Sequence, residues 1–296
     1  MPEMAGYDTG GHLATATAFP VGWDCRLVEA AMNANFAGRL AFISGAASGI
    51  GRATAIELGR RGMKVAVADI DLAGAERVAA ETGGAAVLLD VRDPASWGAA
   101  LDQAEDCHGP LAVMVSNAGV AGSTDPVSQT SQAAWEWSRS VNLDGNFYGL
   151  TQGLSRIVAS GLPGHLVATS SLAVLNVKTR IGVYSAMKAG VLALCEGLRD
   201  ELVGSNIGIS VLLPGPVRTQ LLEANASRSA GNISVDRLEF QEELLRKGLD
   251  PMEVAIMLAD AIGTERFWLF PNRDLEDRID MRAAEMKESF RLPAAG

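Results

Sequence analysis

The stretch Leu40-Ala-Phe-Ile-Ser-Gly-Ala-Ala-Ser-Gly-Ile-Gly51 decides the architecture of this chain. It opens with an apolar run of strand length. Gly45, Gly49 and Gly51 then fall where a strand turns directly into a helix. A glycine in that turn lets a pyrophosphate approach the N–H groups at the helix N-terminus, where a Cβ would hold it away. From Leu40 onward, short apolar runs alternate with amphipathic stretches, the pattern of βαβ units around a parallel sheet.

Strands are expected at Leu40–Ser44, Lys64–Asp69, Ala86–Leu89, Leu111–Ser116, His165–Ser170, Gly208–Leu213 and Arg266–Phe270. Continuous runs such as Leu111-Ala-Val-Met-Val115 suit strands buried on both faces. Asp93-Pro94 and Asp250-Pro251 each place an N-cap before a proline at the first helical position, and Gly83 and Gly109 follow helix ends. Gln132–Ser160 and Ser185–Val203 read as long helices. The fold class is α/β, a doubly wound (Rossmann) parallel seven-stranded sheet with helices on both faces. One catalytic domain spans 36–296, with a polar insertion at 220–248 and a charged helix at 274–291. Residues 1–35 form an N-terminal extension expected to be mobile.

A net charge of −10 argues against nucleic acid as a partner, because affinity for phosphate backbones comes from Lys and Arg. No apolar run reaches the length of a membrane span, and residues 1–31 lack the marks of a signal or transit peptide. Cys25, Cys107 and Cys195 have no metal-ligand spacing and read as reduced thiols of a cytoplasmic protein. His12, His108 and His165 are scattered, each read as a surface or loop residue, so no metal site is expected.

Asp69 ends the second strand, eighteen residues after Gly51. A carboxylate there can accept both adenosine-ribose hydroxyls and repels a 2′-phosphate, and Asp71 adds a second negative charge. NAD is therefore expected over NADP.

Downstream, Val183-Tyr-Ser-Ala-Met-Lys-Ala-Gly190 sets Lys188 four residues after Tyr184, on one face of a helix. A free tyrosine has a pKa of about 10, and a neighbouring ammonium lowers it, as does a positive nicotinamide. Tyr184 can then exchange a proton with an alcohol or ketone oxygen. Ser171 ends the fifth strand, where its hydroxyl can hydrogen-bond that oxygen. Asn142, in Val141-Asn-Leu-Asp-Gly145, would lie mid-helix.

This ordered set, with the glycine turn before it, resembles the short-chain dehydrogenase/reductase family over about Phe36–Phe270. The resemblance implies a catalytic set of Asn142, Ser171, Tyr184 and Lys188. Ser171 is chosen over Ser170 by its thirteen-residue spacing from the tyrosine. In the family, the lysine also holds the nicotinamide ribose, and the asparagine holds a water linking lysine to solvent. The implied cofactor contacts are Ser48, Gly49, Ile50 and Gly51 after Gly45, then Asp69 with Ile70, and Asp90-Val91 at the adenine. Asn117-Ala118-Gly119 follows strand four, with Ser116 in place of the family's first asparagine; Ser44 likewise replaces a threonine. Pro214-Gly215, Val217 and Thr219 flank the nicotinamide.

The resemblance further implies a homodimer or homotetramer paired through the two long helices. The expected reaction transfers a hydride between NAD and a secondary alcohol or ketone. Leu172, Ala173, Val174, Val177, Val183, Leu221 and Leu222 are apolar and expected near the substrate, favouring an uncharged small molecule. The runs Ala159–Leu166 and Phe267–Pro271 also resemble bacterial members of the family that oxidise bulky aromatic alcohols, which implies an aromatic substrate. Two alternatives stand beside this reading. A 3-oxoacyl thioester reductase would usually prefer NADPH, against Asp69. A non-catalytic NAD-sensing protein would not need all four catalytic residues.

Overall fold

The computed structural model describes residues 36–123, 125–175, 177, 180–219, 248–272 and 276–290. In chain order these give β1 (Leu40–Ser44), α1 (Gly49–Arg60), β2 (Lys64–Asp69), α2 (Leu72–Thr82), β3 (Ala85–Leu88), α3 (Pro94–His108) and β4 (Leu111–Ser116). Then follow α4 (Gln132–Arg139), α5 (Gly145–Ser160), β5 (Gly164–Thr169), α6 (Gly182–Glu201), β6 (Ile207–Leu212), α7 (Pro251–Ala261), β7 (Trp268–Leu269) and α8 (Glu276–Ser289). The strands form one sheet in the order β3-β2-β1-β4-β5-β6-β7, with parallel pairing throughout. The order reverses between β1 and β4, and in such sheets a crevice opens at that switch point, beyond the strands' C-terminal ends.

The two-residue period of a strand distributes the core. Leu40 and Phe42 point to one face, with Trp97, Met114 and Leu166. Ala41 and Ile43 point to the other, with Leu58, Val113, Val254 and Leu258. On the first face, α5 approaches the sheet along Gly145, Gly149 and Gly153, spaced one helical turn apart. A Cβ at Gly149 would stand 2.7 Å from Trp97 Cη2, and one at Gly153 would stand 2.8 Å from Met114 Cε. Small residues in that stripe let the helix lie close to β4.

The expected caps form. Asp93 accepts from Ala95 N, Asp250 accepts from Met252 N, and Gly83 ends α2 in the left-handed region. The strand edges shift by a residue at β3, β5 and β6, and β7 is shorter than the aromatic run implied. Three readings need correcting. The helix expected over Gln132–Ser160 is interrupted by a π-helical segment, Ser140–Asp144, which carries Asn142. Ser171 does not end β5: it lies two residues beyond it, as N-cap of a 3-10 turn at Leu172–Val174. His165 is neither surface nor loop but fully buried in β5.

The earlier expectations for 1–35, for Cys25 and His12, and for the insertion at 220–247 with Leu221 and Leu222 lie outside the described residues. The helix expected at 274–291 appears as α8. It is largely exposed, and its Arg282 guanidinium donates to the Val174 carbonyl. No described helix is long and apolar enough to cross a membrane. Trp135 and Phe147, both on helices expected to be long, are exposed.

Burial holds His165 neutral, its pKa pushed down to about 3. Ser210 Oγ donates to the Arg266 carbonyl, so the 2.9 Å contact with His165 Nε2 is one in which the ring donates. Nδ1 accepts from Gly263 N, which fixes the tautomer. The folded pKa lies below the unfolded value, so the unfolded state binds the extra proton and stability falls as pH drops from about 6.5 toward 3. By pH 5 this group alone removes about 2 kcal/mol. His165→Gln, which retains a donor and an acceptor, is expected to flatten the loss between pH 7 and 5 by about that amount. Urea midpoints at the two pH values check this, and an unchanged pH dependence would refute it.

Candidate active site

A cavity of about 550 Å³ opens beyond the C-terminal ends of β1 to β6, at the switch point. It is the confluence of six strand-to-helix turns, and it gathers most of the residues singled out from the sequence. Gly45, Ser48 and Ile50 line it from the first turn, and Asp69 and Ile70 from the second. Asp90 and Val91 come from the third and Asn117, Ala118 and Gly119 from the fourth. Asn142, Ser171, Tyr184 and Lys188 line it too, with Pro214, Gly215, Val217 and Thr219 after β6.

Gly49 and Gly51 do not line it. A Cβ at Gly51 would stand 2.1 Å from the Gly45 carbonyl oxygen, so that glycine folds the turn back on itself. Gly49 has φ +55° and lies against Thr219, where a Cβ would meet Cγ2 at 3.0 Å.

The strand ends are stitched by short polar side chains. Ser44 Oγ accepts from Asn117 N at 3.0 Å and Ala118 N at 3.2 Å, tying β4 to β1. Asn117 Nδ2 donates to the Ser44 carbonyl at 3.1 Å, and its Oδ1 accepts from Thr169 Oγ1 at 3.2 Å, adding β5. The Asp69 carboxylate is pinned across the first two turns. Its Oδ2 accepts from Ala47 N and its Oδ1 from Asp71 N, each at 3.0 Å, and each oxygen keeps acceptor capacity.

The residues present fit a dinucleotide. Ser48, the N-cap of α1, makes no side-chain cap bond, and the first turn carries no acid. The N-terminal dipole of α1 therefore faces the cavity with no acid in its own first turn.

At the other end, Asn142 is fully buried, its amide closed on the backbone of one residue. Oδ1 accepts from Val120 N and Nδ2 donates to the Val120 carbonyl, both at 3.0 Å. Lys188 is 2% exposed, and its ammonium donates to the Thr169 carbonyl at 2.8 Å. Burial pushes its pKa down to about 8. Gly119 makes room for both: a Cβ there would come within 3.0 Å of Asn142 Oδ1 and 3.3 Å of Lys188 Nζ.

The Lys188 ammonium lies 5.9 Å from the Tyr184 ring centroid. The lowered tyrosine pKa expected from the sequence does not follow from these residues alone. Burial raises it, and a hydrogen bond with Ser171 offsets that only in part. Ser171 Oγ accepts from Ala173 N at 3.1 Å and donates to the Pro214 carbonyl at 3.5 Å.

Leu172 and Val174, expected near substrate, are in the hydrophobic core, and Val183 is buried at 3% exposure. The apolar wall comes instead from Val120, Trp137 and Val141. Sequence reasoning missed these three. Val141 borders the singled-out Asn142, and Trp137 lies four residues before Val141. It also missed Arg92, whose Nε and Nη2 grip the Asp90 carboxylate at 2.6–3.2 Å on the cavity rim. Arg92 stands two positions after Asp90, the spacing that could have shown the pair. Among the described residues no cluster of His, Cys, Asp and Glu could hold a metal ion.

Comparison with known proteins agrees with the geometry. The sequence profile of the short chain dehydrogenase family matches residues 39–230. A C alpha-dehydrogenase of Sphingobium sp. is 30% identical over 257 residues, 83% of this chain and 84% of that protein. A cyclohexanol dehydrogenase of Acinetobacter sp. is 34% identical over 66% of this chain and 79% of its own. A short-chain dehydrogenase/reductase from Burkholderia phymatum, solved in complex with NAD, superposes with a TM-score of 0.80 at 29% identity, over 89% of this chain and 99% of its own. The profile and these relatives together show that the chain belongs to the short-chain dehydrogenase/reductase family, oxidoreductases acting on alcohol and ketone groups.

Proposed function

We propose that this protein is an NAD-dependent dehydrogenase of an uncharged, apolar or aromatic secondary alcohol, or of the matching ketone, with Tyr184 as the proton carrier. The convergence of Ser171, Tyr184, Lys188 and Asn142 on one cavity carries this reading. When bound, the cofactor supplies the hydride acceptor for oxidation or the donor for reduction.

The chain's own residues handle the proton. The Tyr184 hydroxyl, deprotonated, takes the proton of the substrate hydroxyl as the carbinol C–H bond breaks. Ser171 Oγ turns from the Pro214 carbonyl to donate to the substrate oxygen. The Lys188 ammonium supplies positive charge beside the phenolate and a donor for the ribose of the cofactor. Asn142, closed on Val120, keeps the π-helical turn and Gly119 in register with Lys188.

Asp69 would hold the adenosine-ribose hydroxyls. Arg92 is committed to Asp90, so the nearest guanidinium on that rim offers little to a 2′-phosphate. Ser48, Ile50 and Gly45 would border the phosphates, and Thr219 and Val217 the nicotinamide. The relative solved with NAD supports the same cofactor. An uncharged substrate is favoured by Val120, Trp137 and Val141, and by a relative named for cyclohexanol.

Two measurements test this. NADH is expected to bind at least about tenfold more tightly than NADPH in fluorescence titration, since the Asp69 carboxylate would face a phosphate instead of two hydroxyls. Equal affinities, or NADPH the tighter, would overturn the cofactor assignment. Tyr184→Phe keeps the ring and removes the proton carrier. It should lower kcat by about 10²–10⁴ while leaving NADH affinity within about twofold. Turnover near half that of the unmodified enzyme on a true substrate would reject the mechanism.

A further inference from the structure

Pro214 and Gly215 line the cavity, Pro216 follows them, and prolines lack a backbone N–H. Gly215 therefore carries the one main-chain donor in three consecutive residues. That donor points to Asn272, whose Oδ1 accepts it at 2.8 Å. The two are fitted to each other. A Cβ at Gly215 would stand 2.9 Å from both Cγ and Oδ1 of Asn272 and 3.2 Å from Nδ2. Asn272 lies just past β7, outside the stretch matched to the family and outside the cavity lining.

The first carbonyl of the same segment faces Ser171. The Pro214 oxygen accepts from Leu172 N at 3.0 Å and from Ser171 Oγ at 3.5 Å. The Pro216 oxygen accepts from Leu249 N at 3.0 Å. Ser171 in turn lies beside Tyr184, where it works against the rise that burial causes in the tyrosine's pKa. The peptide between Pro214 and Gly215 thus offers its N–H to Asn272 and its oxygen to Ser171 and Leu172. A peptide is planar, so fixing its N–H fixes its carbonyl.

We propose that Asn272 is a positioning residue for the reaction: its side-chain oxygen locks the Pro214–Gly215 peptide and so fixes the carbonyl that holds the Ser171 hydroxyl poised until substrate takes it. This rests on the functional reading above for Ser171. A lone packing role for Asn272 would require only its volume; the positioning role requires its acceptor oxygen.

The comparison is made on the full-length protein with Asn272→Leu, close in size without the acceptor, and Asn272→Asp, which keeps it. Hydrogen exchange followed by NMR should show Gly215 N–H exchanging at least about tenfold faster in Asn272→Leu, with the amides of β4 unchanged. On the best alcohol found for the unmodified enzyme, kcat should fall about tenfold or more with Asn272→Leu and stay within about threefold with Asn272→Asp.

Unchanged Gly215 exchange or unchanged kcat in Asn272→Leu would overturn the proposal. So would an Asn272→Asp variant as impaired as Asn272→Leu, or faster exchange spread over the whole sheet. Should Asn272→Leu fail to fold, Asn272→Ala carries the same comparison. The exchange measurement needs no substrate. A protein that oxidises no alcohol would strike the functional reading, while Gly215 exchange would still decide for or against the Asn272 lock.

Discussion

Everything in this molecule that bears on function depends on three strand ends meeting at the point where the sheet reverses its order. β1, β4 and β5 are neighbours there, and each ends in a peptide whose carbonyl or N–H has no strand partner left. Ser44 and Asn117 satisfy these groups with one hydroxyl and one amide, and Thr169 closes the set. Buried backbone groups left unpaired would cost about 1–3 kcal/mol each, so this stitch is needed before a cavity can be held open beside it. The Thr169 carbonyl then receives the Lys188 ammonium. The buried Lys188 cation is thereby tied to the same stitch that holds the sheet.

That arrangement has an electrostatic consequence. A lysine buried this deeply is held near its deprotonation point, with its pKa lowered to about 8. Tyr184 is pushed the other way, its phenol favoured by burial. The protein alone therefore favours the neutral phenol of Tyr184. Positive charge arriving in the cavity would shift Tyr184 toward phenolate, which couples acid/base readiness to occupancy by an oxidised nicotinamide.

Much of this was legible in the sequence because it is written in spacing. The run from Leu40 to Gly51 has one physical reading, a strand turned into a helix with no room for side chains. The four-residue interval from Tyr184 to Lys188 puts both on one helix face. What was not legible depends on packing. A π-helical turn adds one residue to a helix, and the hydrophobic period over Gln132–Ser160 does not reveal it; yet that turn carries Asn142. The burial of His165 follows from its partners Ser210 and Gly263, both distant in sequence. Leu172 and Val174 were expected near substrate, but the 3-10 turn rolls them into the core. Trp137 and Arg92 reach the cavity from elements whose aim only the fold defines.

The central claim is that the cavity passes a hydride directly between a carbinol carbon and the nicotinamide while Tyr184 moves the proton. Its most direct test uses secondary alcohols, cyclohexanol and 1-phenylethanol among them, carrying deuterium at the carbinol carbon, incubated with the protein and NAD. The account predicts deuterium at C4 of the NADH formed, on one face, and about 10²–10⁴-fold less of it when Tyr184→Phe replaces the enzyme over the same time. NADH that forms without label, or label recovered in water, would contradict it.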